Sequence, residues 1–164
     1  MKICILKETD ENEKRVALVP DVAKKLINDG FEIFIESGAG KQSDFSDEDY
    51  KKHGVQTGDA DTVIPNADII FSVKMPDIES IKKMKAEACL IGLLNPYDNH
   101  DQLKTLSENN VNAFSMELVP RSPRAQSMDV LSSQSNLAGY KAIVDSSSMS
   151  VSYTHLRAHE THEH

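Results

Sequence analysis

Ala67-Asp-Ile-Ile-Phe-Ser-Val-Lys-Met-Pro-Asp-Ile-Glu-Ser-Ile-Lys-Lys-Met-Lys-Ala-Glu-Ala-Cys-Leu-Ile-Gly-Leu-Leu94 is the stretch that decides the fold. Two nearly continuous apolar runs, Ala67–Val73 and Ala88–Leu94, flank the amphipathic segment Ile78–Met84. Runs that are apolar throughout, rather than at alternate positions, describe strands buried on both faces, and a helix between two such strands makes the crossover of a parallel sheet. The same rhythm continues towards the N-terminus. Ile3–Leu6 reads as a strand, Asp21–Asp29 as a helix with Val22, Leu26 and Ile27 at helical spacing, Ile33–Ile35 as a strand, and Tyr50–His53 as a further amphipathic stretch. Pro20-Asp21 and Gly30 supply the start and stop of the first helix. Towards the C-terminus follow a helix at His100–Glu108 and a strand at Val111–Ser115. The expected class is α/β, a mostly parallel sheet with helices on both faces.

Composition narrows the function classes. The chain has 164 residues, with 18 Lys+Arg against 26 Asp+Glu for a net charge of −8. That length suits one domain with a single core. At 39% hydrophobic and 27% charged residues it is neither a disordered tail nor a fibrous repeat. No apolar run approaches the ~20 residues that span a bilayer. Net negative charge without a basic stripe argues against a nucleic-acid surface. The short apolar segment after Met1-Lys2 is no secretory signal, which points to a reducing, cytoplasmic setting. Cys4 and Cys89 lie in apolar runs away from other metal ligands and read as buried thiols.

Gly38-Ala39-Gly40 follows a strand, as a dinucleotide fingerprint does, but position 43 is Ser rather than the third glycine. Nor is Gly40-Lys41 a phosphate loop, with Ile35 and Gln42 at the defining positions. A plain strand-to-helix turn is the expectation. No metal site is expected. His155, His159, His162 and His164 lie in a terminal segment without core periodicity, where a rigid shell for a metal is lacking.

Residues 121–140 carry the chemistry. Ser122-Pro123 resembles a helix start, and one helix over 122–144 fits the pattern. Along it, Met128, Leu131, Ser135, Ala138 and Ala142 share one face, and Gln126, Asp129, Ser132, Ser133 and Asn136 the other. A solvated face would carry Lys and Glu; this one carries neutral hydrogen-bonding groups and one carboxylate. A carboxamide offers one acceptor and two donors, so Arg121 and Asp129 with Gln126 between them would suit a nicotinamide. A polar network tying the helix to a neighbouring domain reads equally well from spacing alone.

Residues 121–140 closely resemble the signature of the NAD-binding alpha subunit of proton-translocating NAD(P) transhydrogenase, and the resemblance runs from Met1 to about Val144. Lys7-Glu8-Thr9, Glu13–Pro20 and Ser37–Gly40 are similar to the wider group that includes alanine dehydrogenase. The resemblance implies a Rossmann-like or flavodoxin-like layer followed by a long C-terminal helix. It implies that 1–144 is a truncated N-terminal domain and 145–164 a non-native-looking tail. The implied activity is that of a Re/Si-specific enzyme passing hydride from NADH on this subunit to NADP+ on another domain, coupled to proton translocation, with the fragment inactive alone. Arg121, Gln126, Asp129 and Ser132 would bind NAD(H), and Gln126 would also face the partner nicotinamide as the catalytic position. Implied partners are the membrane-embedded and NADP(H)-binding subunit or domains and a second copy of the complete subunit, at the cytoplasmic side of the inner membrane. Nucleic acid is not among them. An alanine dehydrogenase-like oxidoreductase is the alternative, with Arg15 and Lys74 resembling positions that bind a substrate carboxylate. Asn95-Pro96 stands where that group has a histidine, so these two cations are expected to be ion-paired instead. A non-catalytic interaction domain is the third reading.

Overall fold

A computed structural model describes residues 1–149 of the chain. They form two compact units, Met1–Val119 and a second from Pro120 onward.

The first unit is built on a six-stranded, wholly parallel sheet in the order β3-β2-β1-β4-β5-β6. The strands are β1 (Lys2–Ile5), β2 (Glu32–Glu36), β3 (Gln56–Gly58), β4 (Ile69–Lys74), β5 (Cys89–Leu93) and β6 (Asn112–Ser115). The crossovers carry helices α1 (Pro20–Asn28), α2 (Asp47–Lys51), α3 (Ala60–Val63), α4 (Ile78–Lys82) and α5 (His100–Glu108). Strand order reverses between β1 and β4, the place where ligands of doubly wound sheets sit, beyond the carboxyl ends of the strands.

Alternate residues of each strand feed two cores. Ile3, Ile5, Ile33 and Ile35 pack with Ala23 of α1 and Tyr50 of α2 on one face. Cys4, Ile70 and Leu90 pack with Val63, Ile81 and Leu106 of α3, α4 and α5 on the other. Tyr50 is fully buried, and its hydroxyl donates to the Leu18 carbonyl at 2.7 Å. Val22, placed on the apolar stripe of α1 by spacing, is exposed; Ala23 is the residue that meets the sheet. Phe114 on the edge strand β6 is 55% exposed, so cover by helices thins towards that edge.

Cys4 is buried as expected, and burial pushes its thiol up to about 12. Cys89 is only half-buried, and β4 lies between the two cysteine-bearing strands. The Gly38–Gly40 turn closes on its own neighbours: the Gly38 N–H donates to Asp47 Oδ1 at 2.9 Å at a φ of +75°. A Cβ on Gly40 would lie 2.7 Å from Tyr50 Cε2.

In the second unit the expected helix over 122–144 is replaced by a turn, a 3-10 turn at Gln126–Met128, and α6 (Val130–Met149). Ser122 does accept a backbone bond, from the Ala125 N–H at 3.3 Å, but that turn is not propagated. Asp129 is the better start because its carboxylate reaches the otherwise unsatisfied N–H of Ser132, three residues on. The helix continues through Ser146–Ser148 to Met149, past the expected end at 144. The expectations for the histidine segment fall on residues outside those described. Among the described residues, no helix is long and apolar enough to cross a membrane.

Candidate functional site

Two arrangements of polar side chains stand out, one in each unit. In the second unit, Pro120, Arg121, Ser122, Pro123, Ala125, Gln126 and Asp129 line one open cleft of about 260 Å³. A chain of tight turns shapes it. The Ala125 N–H donates to the Ser122 carbonyl at 3.0 Å, the Met128 N–H to Ala125 at 2.9 Å and the Asp129 N–H to Gln126 at 3.3 Å. Three of the four residues singled out by sequence, Arg121, Gln126 and Asp129, are thereby brought to one cleft. Ser132 is not on its wall. Its hydroxyl donates to Asp129 Oδ2 at 2.6 Å and its N–H to Oδ1 at 3.0 Å. Those bonds from Ser132, helped by the Arg121 charge, hold the Asp129 carboxyl below the ordinary aspartate range. The cleft thus presents an ionised carboxylate, a guanidinium and a carboxamide side by side. This set accepts and donates, and it is chemically suited to an amide-bearing heteroaromatic ring.

In the first unit a larger cleft of about 440 Å³ opens over the carboxyl ends of β1, β4 and β5, lined by Glu8, Asp10, Arg15, Lys74, Asn95 and Asn99 among others. Arg15 forks onto Glu13, Nε to Oε1 and Nη2 to Oε2, both at 2.7 Å. Lys74 Nζ donates to Asp10 Oδ2 at 2.6 Å and lies 4.0 Å from Glu13. The two cations are ion-paired, the role the sequence assigned them ahead of a substrate role. Each partner feels it: the Arg15 hydrogen bond lowers the Glu13 carboxyl, and the Lys74 hydrogen bond lowers that of Asp10.

Glu8 does something the sequence did not disclose. Its two oxygens accept the consecutive N–H groups of Val73 at 2.7 Å and Lys74 at 3.1 Å, where β4 ends. Glu117 takes the N–H groups of Leu94 and Asn95 at the end of β5 in the same way. Glu36 accepts from Lys7 beyond β1 at 2.9 Å. Backbone donors that would serve a phosphate in a dinucleotide crevice are spent on the chain's own carboxylates. Burial outweighs these bonds at Glu8 and raises its carboxyl above the ordinary glutamate value. Separations of 65 and 66 residues join Glu8 to its partners, so no local signal could have found the clamp.

A family model described as alanine dehydrogenase/PNT, N-terminal domain, matches residues 4–138. The chain belongs to that family. This alanine dehydrogenase/PNT N-terminal domain is 40% identical over 152 residues to the first of the separately encoded pieces of NAD(P) transhydrogenase subunit alpha in Rickettsia prowazekii, covering 90% of this chain and 40% of the relative. It superposes on a transhydrogenase crystal structure from Sinorhizobium meliloti with a TM-score of 0.85 at 41% identity, over 89% of this chain and 44% of that one. An L-alanine dehydrogenase structure follows at a TM-score of 0.70 and 27% identity, over 76% of this chain and 34% of the other. The family domain thus spans well under half the length of the relatives it matches.

Proposed function

We propose that the chain is the N-terminal portion of the NAD(H)-binding alpha subunit of a proton-translocating, Re/Si-specific NAD(P) transhydrogenase. The observation that supports this reading is the convergence of Arg121, Gln126 and Asp129 on one cleft, together with the 40% identity to a transhydrogenase alpha subunit. At about 260 Å³ the cleft is smaller than the pocket of a whole drug-sized ligand. It suits one end of a dinucleotide, and the donor set there fits a nicotinamide carboxamide.

In this reading the Arg121 guanidinium donates to the carboxamide oxygen, Asp129 accepts from its NH₂, and Gln126 sits at the edge that faces a second nicotinamide. NAD(H), when bound, supplies or receives the hydride. The chain's own residues orient that ring, and holding two rings in register supplies most of the acceleration such a reaction needs. NADP(H) would bind a partner domain, with proton movement through a membrane-embedded region. Complete subunits would pair, at the cytoplasmic side of the inner membrane. Residues 1–144 would be the native N-terminal domain, truncated and inactive alone, and 145–164 a foreign tail.

The test is hydride transfer from NADH to an NADP+ analogue by this chain joined to the remainder of an alpha subunit and its partner subunit. Activity lost on Arg121→Ala and Asp129→Asn supports the assignment. Alanine-dependent reduction of NAD+ by the same assembly would replace it with the alanine dehydrogenase reading.

A further inference from the structure

Among the described residues, the Ser72 hydroxyl is the buried side-chain polar atom left without a hydrogen-bond partner; the residue is 5% exposed. Its position is unusual. Ser72 lies where the register of β4 against β5 shifts, between Phe71 and Lys74. Opposite it stands Gly92, and a Cβ there would lie 2.5 Å from the Ser72 carbonyl and 2.9 Å from its Oγ. The missing side chain and the bulge together leave space between two strands that otherwise pack at van der Waals contact.

That space is bounded. Ser72 lines a small void together with Glu8, Thr9, Lys74, Asp77 and Ser80, and its room for the centre of a water molecule is about 10 Å³. This matches the ~10–15 Å³ that a single water needs. Glu8, Thr9, Lys74 and Met75 also line the larger cleft above, so the void is the floor of that cleft. The chemistry of the wall is polar. Each Glu8 oxygen accepts one backbone N–H, and a carboxylate has about four acceptor positions, so it retains capacity for a further donor.

We propose that this void is a binding site for one ordered water, which accepts from or donates to Ser72 Oγ and donates to the Glu8 carboxylate. The water completes a line from Ser72 through Glu8 to the amides of Val73 and Lys74, and so fixes the end of β4 from which Lys74 reaches Asp10. A larger ligand does not fit. A buried hydroxyl bridged by water contributes to stability, whereas a truly orphaned one costs stability, so the two cases respond oppositely to deletion.

The experiment has two readings on the chain as it stands. A crystal structure at a resolution that shows waters should place one within hydrogen-bond distance of Ser72 Oγ, and Ser72→Ala should lose it. Urea unfolding of Ser72→Ala should shift towards the unfolded state by about fivefold in the equilibrium constant. Should Ser72→Ala not fold, the wild-type density alone decides. Absence of a water there, or a variant as stable as or more stable than the parent, overturns the proposal.

Discussion

Ser132 holds both carboxylate oxygens of Asp129, donating its N–H to Oδ1 at 3.0 Å and its hydroxyl to Oδ2 at 2.6 Å. The residue offered to a ligand is therefore also the cap of α6, and the two roles separate by substitution. Asparagine caps helices as well as aspartate does, whereas alanine does not. Asp129→Asn should leave the far-ultraviolet circular dichroism of the chain unchanged, while Asp129→Ala should lower its helix signal. The depressed Asp129 carboxyl adds a pH dependence. Its folded value lies below the unfolded one, so its contribution is present above the ordinary aspartate range and is lost as pH falls through the depressed value. Helix content that falls on acidification in the parent but not in Asp129→Asn is the expected result. Equal acid sensitivity in both would detach the cap from the helix.

Removing one member of the Arg15–Glu13 pair should be felt in folding. Glu13 is buried at 6% exposure and Arg15 is 44% exposed. Arg15→Ala strands a buried carboxylate, but solvent reaches the guanidinium, so a cost of about 1–2 kcal/mol is expected rather than the larger cost of a fully buried pair. The Glu13 carboxyl is lowered in the folded state. The stabilisation is therefore complete above the ordinary glutamate value and fades as pH drops through the lowered one. Urea midpoints of parent and Arg15→Ala should differ at pH 7 and converge near pH 3. A gap that persists at low pH would assign the loss to packing of the arginine stem instead.

The parallel sheet was legible because β1, β2, β4 and β5 carry continuous apolar residues, which only strands buried on both faces require. Edge strand β3 (Gln56–Gly58) is three residues of polar character, and α3 (Ala60–Val63) is a single turn, so neither leaves a periodic trace. The start of α6 was misplaced because Ser122-Pro123 and Asp129 both offer cap chemistry, and only the fold of the intervening turn shows which one propagates. In the second-unit cleft, residue types sufficed to single out Arg121, Gln126 and Asp129. The carboxylate clamps of Glu8 and Glu117 were illegible, since their meaning arises from strands adjacent in space and distant along the chain.

Gly92 is expected to tolerate no side chain. Its added Cβ would lie 2.5 Å from the Ser72 carbonyl oxygen, a backbone atom held by strand pairing, so β5 must move away from β4 to admit it. Gly92→Ala should cost about 1–3 kcal/mol, the usual range for an overfilled core, and lower the melting temperature by several degrees. Gly139→Ala on α6, where a Cβ meets nothing within 4 Å, serves as the control and should be neutral or stabilising. Equal melting temperatures for parent and Gly92→Ala would mean that the strands part more easily than their register implies.

The 164-residue chain by itself is expected to bind NADH only at millimolar concentration. Dinucleotides are held chiefly by pyrophosphate on a glycine-rich helix N-terminus. The first strand-to-helix connection, residues 6–19, contains no glycine, and Gly38-Ala39-Gly40 lacks the third one. At the switch point of the sheet, the backbone donors are already taken by Glu8 and Glu117. What remains is the cleft of Arg121, Gln126 and Asp129, open to solvent and sized for one ring. Its few hydrogen bonds must first offset an association cost of at least ~4 kcal/mol. A net affinity of about −4 kcal/mol, or a Kd near 1 mM, is the most that such contacts supply. Isothermal titration with NADH measures it directly, and Arg121→Ala should abolish what binding is seen. A low-micromolar Kd that survives Arg121→Ala would place the nucleotide elsewhere in the chain.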